Sequence, residues 1–200
     1  TRRSYDLITV EVGRPAVLQP CEYLVNNEGF EVSFLAPDEF GFVSADSVRE
    51  ALRPDTILVS LMAANNEVGT LLPVSEIGGI CSEKGVLFHA DAAQALGKVL
   101  VTADEVPVDF LTVAGHKIHA PKGVGAIYAR DPENLSPLLI GGDQEQRKRA
   151  GTENVPGIVG FGEAARLRRL RFSSVLTHLS FLRSTFEEKL KGLGKPFQVN

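Results

Sequence analysis

Two spacings of apolar residues alternate along this chain. Short β-branched runs at 6–10, 31–35, 56–61, 86–90, 109–114 and 125–129 read as strands. Between them, apolar positions recur at helical spacing over 14–26, 44–52 and 74–84, briefly at 92–96, and over a long stretch from 158 to 193. Arg53-Pro54 and Lys84-Gly85 mark helix ends. Strands that alternate with helices predict an α/β fold, with helical layers on both faces of one sheet (a three-layer αβα domain).

One connection fixes a strand direction. Only residues 115–124, with Pro121 and Gly123 among them, separate the last two strands. A parallel crossover needs a dozen or more residues, so these strands are expected to be antiparallel neighbours in an otherwise parallel sheet. Ligand sites in such sheets lie beyond the carboxyl ends of the parallel strands.

Composition narrows the classes of function. The chain has 200 residues, 44% of them hydrophobic and 23% charged, which suits one globular domain. A net charge of −4 gives no basic face for nucleic acid or an anionic membrane surface. No apolar run is long enough to span a bilayer. Two cysteines, Cys21 and Cys81, make neither a disulfide framework nor a metal motif, and both read as small core residues. A cytoplasmic or organellar-matrix setting is expected.

Two predicted parallel strands end in reactive residues. LFHADAAQ places Asp91 beyond one strand and Gln94 a turn later, and DFLTVAGHK places His116 and Lys117 beyond another. A lysine at the edge of an apolar pocket can condense with an aldehyde. Pyridoxal phosphate is such an aldehyde, and its ring nitrogen needs a fixed carboxylate partner, the part suited to Asp91. Gln94 suits the ring oxygen and His116 the phosphate. Each residue also has a plainer reading. Asp91 can cap a helix, Lys117 can be a solvated loop residue, Gln94 can face water, and His116 can be a turn residue. His89 reads as structural, and His119 and His178 as partly exposed or boundary residues. Arg166, Arg168, Arg169 and Arg171 go round a helix and read as a solvated face. Val175, Leu179, Leu182 and Phe186 read as a packing stripe.

The segments ANNEVGTLLPVSEI, LFHADAAQALGK, VDFLTVAGHKIHAPKGVGAIY and GGDQEQRKRAGTENVPGIVGFGEA closely resemble, in order, those of cysteine desulfurases and selenocysteine lyases. These enzymes belong to the class V aminotransferase group. The resemblance implies a pyridoxal-phosphate enzyme that removes sulfur or selenium from cysteine or selenocysteine and leaves alanine, with cysteine the preferred expectation. It implies that Lys117 carries the cofactor as a Schiff base and moves the substrate proton. Asp91 would meet the pyridine nitrogen, Gln94 the ring oxygen and His116 the phosphate. Asn66 would hold the substrate carboxylate beside the cofactor. Thr152 would reach the phosphate of a partner subunit, which implies a homodimer, and a sulfur-acceptor protein is a possible further partner.

The chain also departs from the family pattern. The resemblance leads us to expect the large domain alone in these 200 residues, with no counterpart among them of the upstream phosphate loop or of the C-terminal small domain, which carries the mobile cysteine and the substrate-clamping arginine. Arg14 stands where a histidine usually stacks on the ring, within Gly13-Arg14-Pro15-Ala16-Val17. Ala114 replaces a phosphate-binding serine, His119 an aromatic residue, and Asp143 a glycine. An exposed sheet edge at 125–129 is expected. A non-catalytic relative that keeps the fold and a dimer surface is the alternative.

Overall fold

The computed structural model describes residues 5–11, 13–99, 103, 106–197 and 199. Six strands form one sheet among them: β1 (Asp6–Val10), β2 (Glu31–Leu35), β3 (Thr56–Met62), β4 (Leu87–Asp91), β5 (Phe110–Ala114) and β6 (Gly125–Ala129). Their order across the sheet is β2-β1-β3-β4-β5-β6. Every neighbouring pair is parallel except β5–β6, which is antiparallel as the short connection requires. β6 is an edge strand, and four of its five residues are exposed.

Alternation along the strands separates two faces. Ile8, Val10, Val59, Leu61, Phe88 and Ala90 join one apolar core with Val48, Ile77 and Cys81. Val48 belongs to α2 (Ala45–Ala51), and Ile77 and Cys81 to α3 (Val74–Lys84). Ser44 starts α2 by accepting the Ser47 N–H at 3.0 Å. Gly85 ends α3 in the left-handed region, at φ 68°. Burial raises the Cys81 thiol to about 12, helped by the negative charge of Asp109, and burial also raises Cys21. Both thiols therefore stay protonated and inert near neutral pH.

Thr9, Ser60, His89, Asp91 and Thr112 alternate with the core residues and turn to the opposite face. His89 spans three strands there. Its Nδ1 lies 2.8 Å from Ser60 Oγ on β3, and its Nε2 lies 3.1 Å from Thr112 Oγ1 on β5. At the far end of β1, buried Asp6 accepts from Thr56 Oγ1 at 2.7 Å and Ser33 Oγ at 2.9 Å. It also lies 3.5 Å from the Arg53 guanidinium. Asp6 thereby ties the starts of β1 and β3 to the middle of β2.

Three regions differ from the sequence reading. The helix expected at 14–26 is α1 (Pro15–Tyr23) followed by a π-helical turn, Leu24–Glu28, which Gly29 ends at φ 74°. The helix expected at 92–96 is instead a pair of hydrogen-bonded turns, in which the Ala92 and Ala95 carbonyls each accept two amides. The long helix divides into α4 (Val155–Leu170) and α5 (Phe172–Gly192), because Arg171 leaves helical geometry at φ −103°, ψ 10°. The expected stripe on α5 is not core: Leu179, Leu182 and Phe186 are exposed, and no residue of α5 is buried.

Two predictions follow from the polar ties. Asp6→Ala removes the acceptor shared by Ser33, Thr56 and Arg53 and should cost about 2–4 kcal/mol in a urea unfolding titration. His89 behaves differently, because burial lowers its pKa more strongly than the charge of Asp91 raises it. As pH falls, the unfolded chain therefore takes up this proton before the folded chain. The stability gained from neutral His89 is complete above about pH 6.5 and is lost on acidification below it. His89→Gln should flatten the fall in stability between about pH 6.5 and 5, measured by urea titrations at each pH.

Candidate active site

The carboxyl ends of β3, β4 and β5 lie side by side, with Met62 opposite Asp91 and Asp91 opposite Thr112. Asp91 is the last residue of β4 rather than the first beyond it. Its carbonyl accepts the Ala63 N–H at 2.9 Å, and the Ala92 N–H donates to the Thr112 carbonyl at 2.9 Å. The backbone is thus bonded on both sides where the side chain leaves it. Asp91 is 5% exposed. Its Oδ1 accepts the Ala93 N–H at 2.9 Å, so one oxygen tightens the turn after the strand, although no helix follows for it to cap. Its Oδ2 faces Arg14 Nη1 at 3.2 Å.

Gln94 follows within the turns and is half-buried. Its Oε1 accepts from Lys98 Nζ at 2.8 Å, which leaves the amide nitrogen as the group that can donate. Lys98 in turn has its pKa lowered by burial, then by the positive charges of Lys117 and Arg168. Gln94, Lys98, Lys117 and Arg168 therefore share one neighbourhood. Arg168 is not a solvated residue as its spacing suggested. Its Nε donates to the Gly97 carbonyl at 2.6 Å and ties α4 to the turns after β4.

His116 and Lys117 stand on a 3-10 turn, Gly115–Ile118, directly after β5. Lys117 is half-buried and His116 is exposed. No carboxylate among the described residues pairs with the Lys117 ammonium. Gly115 is required by close approach: a Cβ there would lie 2.9 Å from the Val124 carbonyl oxygen and 3.2 Å from the Phe161 ring. The space it leaves lets α4 and the start of β6 close over the turn. His119 ends the turn in the left-handed region at φ 71° and is exposed.

Asn66 and Thr152 are less closely tied to this group. Asn66 is exposed in the turn beyond the Ala64–Leu71 bridge, where Asn65 Oδ1 accepts the Glu67 and Val68 amides. Thr152 is exposed in the loop before α4. Neither has a hydrogen bond to Asp91, Gln94 or Lys117 among the described residues. Sequence reading did not find Lys98, although its spacing of four from Gln94 was a usable signal. It noted Arg14 but not its partner, which is 77 positions away.

Comparison with known proteins identifies the family of the fold. The family model described as aminotransferase class-V matches residues 2–197. The chain is 47% identical to cysteine desulfurase IscS of Dictyoglomus turgidum, over 90% of this chain and 45% of that protein. Among solved structures, a NifS-like protein superposes with a TM-score of 0.91 at 39% identity, over 96% of this chain and 53% of that one. The structure titled SspA in complex with cysteine gives a TM-score of 0.79 at 42% identity, over 82% of this chain and 47% of that one. The chain spans about half the length of the curated relatives it matches. On the family match and the shared fold, this chain belongs to the class-V aminotransferase family.

Proposed function

We propose that this chain is the large-domain portion of a pyridoxal-phosphate enzyme that removes sulfur from L-cysteine and leaves alanine. One observation carries the reading. A buried carboxylate, Asp91, and a half-buried lysine, Lys117, that has no carboxylate partner among the described residues stand at the carboxyl ends of adjacent parallel strands. The relatives' names support cysteine over selenocysteine and an enzyme over a non-catalytic relative.

The donor set fits the cofactor. Asp91 would hold the protonated ring nitrogen, and Gln94 would donate its amide N–H to the ring oxygen. Lys98 keeps that amide turned the right way by occupying its oxygen. His116, exposed at the rim, would donate to the phosphate, and Lys117 would hold the aldehyde carbon. When bound, pyridoxal phosphate supplies an electron sink for the electron pair left at the substrate α-carbon. Once released by the incoming substrate, the ε-amine of Lys117 takes the α-proton and later returns it. Asn66 would meet the substrate carboxylate, and Thr152 the phosphate of a second copy in a homodimer. A sulfur-acceptor protein would be the further partner.

Adding pyridoxal phosphate to the full-length protein should give a visible absorption band that borohydride abolishes, and Lys117→Ala should lack it. With cysteine and a thiol reductant supplied, the reductant freeing the transferred sulfur as sulfide, sulfide and alanine release should fall by roughly 10²–10⁴ in Lys117→Ala. A band of equal strength in the variant contradicts the role given to Lys117.

A further inference from the structure

Both oxygens of Asp91 are engaged, and the two partners differ in kind. The Ala93 N–H holds Oδ1 from within the same segment, at 2.9 Å. The guanidinium of Arg14 holds Oδ2 from the junction of β1 and α1, at 3.2 Å. With β3 between β1 and β4, that side chain reaches across a strand. Its base is fixed: Arg14 is extended at φ −70°, ψ 148°, Pro15 follows it, and its carbonyl accepts the Val17 and Leu18 amides at 2.8 and 3.0 Å. The side chains are 27% exposed for Arg14 and 7% for Asp91, so the guanidinium lies on the solvent side of the carboxylate. An arginine stays charged at any pH that leaves the protein folded. This pair is therefore not opened by loss of the arginine's charge, and a second cationic donor that arrives at the oxygen meets a cation already there.

We propose that Arg14 and the ring nitrogen of the cofactor compete for Oδ2 of Asp91, so that Arg14 sets how much affinity the ring nitrogen contributes. The proposal rests on the pyridoxal-phosphate reading above. A protonated pyridine N–H and a guanidinium N–H are both cationic donors, and two of them on one oxygen repel each other. Binding then exchanges one charge-assisted hydrogen bond for another instead of adding one. The remaining contacts, at Lys117 and Gln94, do not involve Arg14. Any contact Arg14 makes with the ring face is common to ligands with and without the nitrogen, so its effect through Asp91 shows in the difference between them.

A binding cycle isolates that influence. Pyridoxal phosphate and its deaza analogue, in which a C–H replaces the ring nitrogen, share the aldehyde that Lys117 holds and the phosphate. Dissociation constants for both are measured by absorption with the full-length protein, Arg14→Gln and Arg14→His, and Lys117→Ala serves as the control. The preference for pyridoxal phosphate over the analogue should rise about tenfold when Arg14 is replaced. The histidine variant decides if the glutamine variant does not fold. An unchanged preference, with a Lys117-dependent band still present, overturns the competition and leaves the cofactor reading intact. No Lys117-dependent band in any chain with either ligand overturns the cofactor reading and the competition with it.

Discussion

A carboxylate kept out of water at the end of a central parallel strand constrains everything around it. Asp91 cannot swing away, because the ladder binds its backbone from β3 on one side and the next residue binds β5 on the other. A buried charge of this kind is costly unless donors and an opposite charge meet it. The Ala93 amide and the Arg14 guanidinium do so here. Around them, Lys98 lies within the fields of Lys117 and Arg168. A chain with a net charge of −4 thus sets four of its cations, Arg14, Lys98, Lys117 and Arg168, around the carboxyl ends of these strands. That end suits a ligand that carries negative charge and a protonated nitrogen.

The frame behind the site explains how loops after separate strands can share one place. Thr9 bonds the Ser60 carbonyl at 2.9 Å, and Ser60, His89 and Thr112 then continue the polar line across β3, β4 and β5, on the face that Asp91 also uses. On the opposite face, α2 and α3 close an apolar core over the same strands. Arg168 ties α4 to the turns that carry Gln94, and Gly115 lets α4 approach the turn that carries Lys117. The two reactive segments are therefore held by one helix as well as by adjacent strands.

Much of this was legible in the sequence, for definite reasons. β-branched runs marked the strands, and the ten residues between β5 and β6 were too few for a parallel return. Asp91, Gln94, His116 and Lys117 stood out because reactive side chains ended apolar runs. Contacts between distant positions were not legible. The resemblance set Arg14 and Asp91 at the same ring, but nothing in either segment pointed to a direct ion pair across 77 residues. The break at Arg171 carries neither glycine nor proline, so the helical spacing reads through it. The α5 stripe had core spacing yet stands exposed, since periodicity records an apolar face and not what covers it.

The central claim is that Lys117, and no other lysine, is the amine that meets the aldehyde. Lys98 is the natural rival, because it is half-buried in the same neighbourhood and its pKa is lowered. The most direct measurement loads the full-length protein with pyridoxal phosphate at low excess, reduces it with borohydride, and maps the pyridoxyl group by peptide mass spectrometry. The account predicts the label on the peptide that contains Lys117. A label concentrated on Lys98, or spread over surface lysines, would contradict it.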